Sequence, residues 1–581
     1  MLYLRQIACL LLLALPALCI AETLRYEVEG VEGALLDNVN AWLGPAPESP
    51  EERLNFVVSA QSRVEQSLQA LGYYQADIDI TVDRSRETWR MLVSVSPNEP
   101  VRIRDVQMLL AGAAVSDPVF ADLIARLPLA SGNVFHHGNY EAFKRSLQAL
   151  GQRRGYFDGR LTESEVRVDP IAGTADVSLQ YDSGPRYNFG PLSYNAEQLE
   201  REQLEALQPF VEGDPYDATA LQQFQSQLQQ TGFFASVIVG PQLSDRASGA
   251  VPIDLELFPA KRHSIDLGVG YSTDTEERLS VTWRTPRINR YGHSQETRIQ
   301  YSPINPSGRV IYSIPLSHPL NDTLQLSLRV EENEFGDIDS DQAELSVRRE
   351  VKGEDWLYSY SLRGLNESWD VGDFAEESDY FLPGVTFSHK YRAGPLVNPL
   401  AGFSQFYSLE GGSESAGSES DLLRAYANYV FVASIADDHR VVLRSELGAV
   451  AISDRDRAQL APSLNFFAGG SQSIRGFSYQ SLGNEVDVEQ DDGTVKTFVV
   501  GGERLLTASA EYQYSINETW RAAVFADAGD AFDEGEFDAN YAVGVGVHYM
   551  TPVGAIKFEL ANPVSDDNPD WRIHINIGAE F

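Results

Sequence analysis

Val57, Ala60, Val64, Leu68 and Leu71 recur at spacings of three and four, which lays one apolar stripe along a helix. Gly72 predicts its stop. Ile78, Ile80 and Val82 then alternate with Asp79 and Thr81 as a half-buried strand, and Met91, Val93 and Val95 predict a second, so the unit reads as a helix and a hairpin. The phrase Leu68-Gln69-Ala70-Leu71-Gly72-Tyr73-Tyr74 returns as Leu147-Gln148-Ala149-Leu150-Gly151, with Gly155-Tyr156-Phe157 just after, and again as Leu228-Gln229-Gln230-Thr231-Gly232-Phe233-Phe234. Gly72 and Gly155 stand 83 residues apart, and Gly155 and Gly232 stand 77 apart. A period near 80 is too long for a solenoid repeat and predicts three copies of a small α+β domain. The second copy ends on Val177, Leu179 and Tyr181, and the third on Ile253, Leu255 and Leu257. Pro100-Val101-Arg102-Ile103 and Gly184-Pro185-Arg186-Tyr187 mark the joints between copies.

Beyond Arg262 the helical period nearly vanishes. Leu279, Val281 and Trp283 alternate with polar residues, as do Leu324, Leu326, Leu328 and Val330, and then Trp356, Tyr358, Tyr360 and Leu362. Tyr541, Val543, Val545, Val547 and Tyr549 form a valine band with an aromatic at each end, which suits the two interfacial girdles of a bilayer. A soluble sandwich also alternates, but the number and length of these strands favour a barrel wall with lipid outside and water inside. The spacing predicts sixteen strands over 263–581. The last, Trp571 to Phe581, carries Trp, Ile, Ile, Ile, Ala and Phe on one face and Arg, His, Asn, Gly and Glu on the other. The predicted fold is therefore three α+β domains followed by an all-β, 16-stranded antiparallel transmembrane barrel.

Composition sharpens this picture. The 581 residues hold 84 acidic and 45 basic side chains, a net charge of -39, which argues against nucleic acid as a partner. No apolar run of 18 residues occurs beyond the N-terminus, which excludes a multi-helix membrane protein but not a barrel. Cys9 and Cys19 both lie in a segment with Arg5, an apolar core from Ile7 to Ile20, and Ala21, the shape of a secretory signal peptide over 1–21. The exported chain is then expected to use no disulfides. No nucleophile elbow, zincin helix or phosphate loop is present, so no catalytic residue, cofactor or metal is expected. His136 and His137 read as ordinary residues of a predicted loop.

One long connection stands out between predicted strands near Arg440–Ala451 and Phe498–Tyr514. Inside it lies Phe467-Ala468-Gly469-Gly470-Ser471-Gln472-Ser473-Ile474-Arg475-Gly476-Phe477, too apolar and glycine-patterned for a floppy tip. Phe525, Asp527 and Gly529 follow on a nearby strand. Together, Ile474-Arg475-Gly476-Phe477 and Phe-x-Asp-x-Gly resemble the two hallmarks of the Omp85 superfamily of outer-membrane assembly and secretion barrels. The resemblance implies that the loop folds back into the lumen and that Arg475 engages Asp527. A guanidinium in a narrow lumen needs such a carboxylate.

The resemblance covers essentially the whole mature chain. It makes the repeats POTRA domains, at 22–99, 100–184 and 185–262, before a barrel at 263–581. Three such domains are most similar to the TamA-type (translocation and assembly module) branch. It further implies an outer-membrane location with the POTRA domains in the periplasm. Its partners would be a TamB-like inner-membrane-anchored protein, unfolded outer-membrane proteins or autotransporters, and outer-membrane lipid. The expected function is assembly and translocation of autotransporters and other outer-membrane proteins. Its lateral gate would be the seam between the first strand, with Gly268 and Gly270, and the last, with Trp571, Ile573, Ile575, Ile577, Gly578 and Phe581. A two-partner secretion pore and the outer-membrane terminus of a phospholipid-transfer system remain open beside it.

Overall fold

The computed structural model describes residues 24–581 apart from 196–198, 246–248, 373, 396–397, 454–456, 458–459, 491–493, 553, 567–568 and 579–581. The expected signal peptide and Phe581 lie outside the described residues. Two compact units are present. One holds the described residues through Ser193 with Phe210–Gln222 and Gly240–Asp254, and the other holds those of Tyr194–Pro209, Gln223–Val239 and Leu255 onward.

The first module runs β1 (Leu24–Glu29), α1 (Ala34–Leu43), α2 (Pro50–Ala70), β2 (Asp77–Asp83) and β3 (Trp89–Ser96). β3 takes the middle of a mixed sheet, parallel to β1 and antiparallel to β2. α2 begins where Ser49 Oγ accepts from Glu52 N at 3.2 Å and Pro50 presets the first turn. Its buried stripe is Phe56, Ala60, Val64 and Leu68, set against Met91, Val93 and Val95. Phe56 joins the predicted stripe, with Val57 half-buried against the same cluster, and β1 and α1 precede the predicted helix.

The second module repeats the order as β4 (Arg102–Ala111), α3 (Pro118–Ala125), α4 (His137–Arg153), β5 (Arg160–Asp169) and β6 (Thr174–Asp182), with β6 in the middle. His136 and His137 are not in a loop: the first is the N-cap of α4 and the second its first residue. The third module follows with β7 (Asn188–Tyr194), α5 (Arg201–Ala206), α6 (Ala218–Gln230), β8 (Phe234–Pro241) and β9 (Ala250–Pro259), in sheet order β7-β9-β8.

The repeated glycine-aromatic phrase does more than stop helices. Gly72 O accepts from Val101 N at 2.8 Å, and a Cβ on Gly72 would lie 2.4 Å from Phe135 O in the next module. Tyr74 Oη meets His137 Nε2 at 2.5 Å. In the second copy Gly155 O accepts from Tyr187 N at 2.9 Å, and Phe157 packs edge-on against Tyr216 with centroids 4.9 Å apart. Each of these two phrases is therefore the joint to the module that follows. At the second joint Arg154 also grips Asp117 through Nε and Nη2, at 3.0 and 3.1 Å, and reaches Asp217 at 3.3 Å. Burial alone would raise the Asp117 carboxyl, but Arg154, the Val119 N–H and the Tyr156 hydroxyl hold it below the usual carboxylate range. Burial, with Asp217 alongside, pushes the Tyr216 hydroxyl up to about 12.

Sixteen antiparallel strands close the barrel, from Ser264–Ser272 to Arg572–Gly578. Its surface inverts that of a soluble protein: Leu328, Val330 and Val545 are exposed outside, while Ser327, Gln513, His548 and Glu559 are buried inside. The wall is uneven, with strands of 16 and 20 residues at Trp356–Val371 and Phe374–Ala393 but only 9 and 8 at Ser264–Ser272 and Ser294–Tyr301. The predicted strand at Phe498–Tyr514 needs correction: it begins at Arg504. Val495–Val499 pairs instead with Glu485–Glu489 as a separate hairpin inside the long connection.

Candidate functional site in the barrel lumen

The connection between the strands His439–Ile452 and Arg504–Ser515 turns inward because its apolar residues have somewhere to go. Leu460, Ala461, Leu464, Phe466, Ala468 and Ile474 are buried in one cluster with Leu382, Leu422, Val450 and Leu505 of the wall. Wall residue Gly448 leaves room for this, since a Cβ there would stand 2.5 Å from the Phe466 ring. Gly476 has φ +98°, a conformation that L side chains rarely adopt, so the chain can reverse beside Arg475.

Arg475 is 1 % exposed and is saturated by the wall. It donates to Asp527 as a fork, Nε to Oδ2 at 2.7 Å and Nη2 to Oδ1 at 2.9 Å, and its backbone N–H reaches the same carboxylate at 3.0 Å. Nη1 donates to Glu511 at 2.5 Å and to Glu559 at 2.9 Å, Nη2 to Ser509 at 3.1 Å. The guanidinium carbon lies 3.4 Å from the Phe525 ring centroid, so the ring supplies a π face under the cation. Gly529 allows the neighbouring strands to close up: a Cβ would fall 2.2 Å from Leu506 O. Phe477 is half-buried at the edge of the apolar cluster.

Glu511, His548 and Glu559 present ligand-type atoms within 4.8 Å of one another. Arg475 Nη1 already touches both carboxylates, so in this arrangement the cation of the site is the guanidinium. Glu511, Glu559 and His548 belong to no motif of the sequence. Their signal is the inward phase of the strand alternation.

The seam between the first and last strands lies beside this latch. Among the described residues it has one registered pair, Ser272 with Asn576, whereas every other neighbouring pair of barrel strands has at least seven. Thr273 N to Ile575 O at 3.2 Å and Ile575 N to Thr273 Oγ1 at 3.4 Å add two hydrogen bonds. Gly268 and Gly270 pair with Ser280 and Arg278 of the second strand, and among the described residues neither has a registered partner in the last. Trp571, Ile573 and Ile577 are exposed on the outside, Ile575 is half-buried, and Gly578 pairs with Ala555.

The loop holds both sides of this seam. Ser471 donates to Asp274 Oδ2 through its N–H at 2.8 Å and its hydroxyl at 2.6 Å, just past the first strand. Gly476 N donates to His574 Nε2 at 2.9 Å, and Asn576 reaches Ser471 Oγ at 3.5 Å, both on the last strand.

A closed barrel with a lumen-inserted loop pinned by an arginine defines a class, and sequence comparison agrees. Residues 261–581 match the Omp85 superfamily domain, and the chain belongs to that superfamily. Residues 25–97 match the POTRA domain called TamA domain 1. The chain is similar to the outer membrane protein assembly factor BamA of Neisseria meningitidis serogroup B, at 20% identity over 591 aligned positions, covering 88% of this chain and 71% of that protein. BamA from Haemophilus ducreyi lacking POTRA domains 1–3 shares the fold, with TM-score 0.71 at 15% identity over 82% of this chain and 99% of that one. A sixteen-strand barrel of this superfamily points to the outer membrane of a Gram-negative bacterium.

Proposed function

We propose that this protein is an outer-membrane assembly and translocation factor of the TamA type, which passes autotransporters and other outer-membrane proteins into the bilayer through the seam. The one registered pair among the described residues of the seam, Ser272 with Asn576, carries the reading. In a wall zipped everywhere else, Ser264–Tyr271 has no registered partner in the last strand among the described residues, and its backbone N–H and C=O groups there offer a template to which a substrate strand adds by β-augmentation. The likeness to an assembly factor along most of the chain supports the activity, and the match of residues 25–97 favours the TamA branch.

In this reading the three modules stand in the periplasm at 22–99, 100–184 and 185–262, the barrel spans 263–581, and a TamB-like inner-membrane-anchored protein delivers substrate to them. Arg475, with Ile474, Gly476 and Phe477, latches the loop on Phe525, Asp527 and Gly529. Ser471, Asp274, His574 and Asn576 make the loop a brace across the gate.

A disulfide between Ser272→Cys and Asn576→Cys tests the gate directly, because Cys9 and Cys19 are the chain's only native cysteines. Oxidation should stop autotransporter surface display in cells carrying this variant alone, and a reductant should restore it. Full display with the seam oxidised would refute the gate. Display intact in cells lacking the protein, with outer-leaflet phospholipid disturbed instead, would refute protein assembly in favour of lipid delivery.

A further inference from the structure

Away from the loop, the wall breaks an ordinary rule of sheet chemistry. Arg298, Arg309 and Arg329 stand directly opposite one another on three adjacent strands, Ser294–Tyr301, Ser307–His318 and Asp322–Phe335. Opposed residues share a face, and here it is the lumen face, since Ile299, Val310, Leu328 and Val330 between them are exposed outside. Like charges directly opposed destabilise a sheet. Arg329 is neutralised by Glu331 at 2.6 Å and Glu344 at 2.9 Å. The other two have uncharged acceptors: Arg309 donates to Ser327 at 3.4 Å and Arg298 to Gln300 at 3.2 Å. Among the described residues neither meets a carboxylate.

Arg309 lines a 440 Å³ cavity in this wall, and Arg348 lines it too. The nearest carboxylate to Arg348 is Glu350 at 3.8 Å, beyond hydrogen-bonding reach. The remaining arginines of the cavity are committed: Arg363 to Glu410 at 2.8 Å, and Arg424 to the same carboxylate at 3.3 Å. The cavity is thus lined by five guanidinium groups and three carboxylates. That surplus occurs in a chain of net charge -39, so it is not a by-product of composition.

We propose that Arg309 and Arg348, with Arg298 opposite Arg309, form a binding site in the lumen for a phosphate group. A carboxylate brings a single negative charge, whereas a phosphate brings up to two and at least three acceptor oxygens, which matches a pair of guanidinium groups with no carboxylate within hydrogen-bonding reach. Ser346, Ser361 and Ser408 line the same cavity and offer further donors. Phosphate chemistry has two sources here, the headgroup of a phospholipid and the free anion. The site is independent of the seam and its gate.

The test uses the full chain in maltoside micelles, which carry no phosphate. Inorganic phosphate and a water-soluble short-chain phosphatidic acid are titrated separately by calorimetry, against wild type and Arg309→Gln/Arg348→Gln. Saturable binding is expected in at least one titration, weakened at least tenfold in the double variant. Binding of phosphatidic acid alone assigns a lipid headgroup, and binding of inorganic phosphate assigns the free anion. Heat-modifiable gel mobility reports whether the variant barrel is folded; should it not be, Arg309→Gln alone must weaken binding at least threefold. Equal binding by wild type and a folded variant overturns the proposal, as does no binding in either titration. Capture of a glutamate-rich octapeptide with neither phosphate ligand bound also overturns it, in favour of an acidic polypeptide.

Discussion

Replacing Arg475 by alanine removes the cation from a pocket of three carboxylates, and the consequence can be sized. The side chain makes five hydrogen bonds, four of them to carboxylates. Charge-assisted bonds contribute about 1.5–3 kcal/mol each, but these share one desolvated guanidinium and cannot be summed. Deleting one partner of a buried ion pair costs about 3–5 kcal/mol, and at about 1.4 kcal/mol per decade that is roughly two to three and a half decades in the docking equilibrium of the loop. The Ser473 hydroxyl is buried, so Ser473→Cys places a thiol where it reacts only when the loop lifts. Labelling by a membrane-impermeant maleimide, in the regime where opening and closing are fast, should then accelerate by roughly a hundredfold or more in Arg475→Ala. Arg475→Lys, which keeps the charge but loses the fork, should fall between the two. Acceleration below about threefold in Arg475→Ala, under about 0.7 kcal/mol, would show that Ile474, Phe466 and their neighbours hold the loop by packing and that the ion cluster contributes little.

Three further outcomes follow from the geometry. Asp274→Ala removes the acceptor of both Ser471 bonds and should speed disulfide formation between Ser272→Cys and Asn576→Cys if the brace holds the seam apart from its closed register, or slow it if the brace holds the pair together; the structure, with the pair in register, requires slowing. Arg154→Ala leaves Asp117 buried without its guanidinium and should destabilise the second module by about 2–4 kcal/mol, read as a lowered transition in calorimetry of the full chain. Because the folded Asp117 carboxyl is held below its ordinary 3.8, its contribution is present above that value and is lost as pH falls through the lower folded one. Tyr216 acts at the other end: its contribution is present below pH 10.0 and lost as pH rises toward about 12, a window that Tyr216→Phe should abolish.

The barrel was legible because a wall with lipid on one side and water on the other must alternate, and alternation is written residue by residue. Arg475 and Asp527 could be brought together on paper because each sits in a recognisable local phrase. Glu511 and Glu559 have no such phrase: they are acids on inward positions of two different strands, and only the ladder brings them to one guanidinium. The joints were half legible. The phrase at Gly72 repeats plainly, yet its steric partner Phe135 lies in the next module, so recurrence could be seen and its purpose could not. The strand misplaced at Phe498 failed for another reason, since the pattern of an extended segment does not say whether its partner is the wall or the other arm of a hairpin.

The uneven height of the wall bears on the bilayer as an elastic sheet. A strand rises roughly 3.4 Å per residue and leans about 45° in a membrane barrel. The 16 residues of Trp356–Val371 then reach roughly 38 Å, enough for a hydrocarbon layer of about 30 Å. The 9 residues of Ser264–Ser272 reach roughly 22 Å, and the 8 of Ser294–Tyr301 roughly 19 Å. Lipid next to these two strands must thin to keep its tails from water, at a fraction of a kcal/mol for each ångström of mismatch. The barrel is therefore shaped as a wedge that keeps one sector of the surrounding membrane compressed.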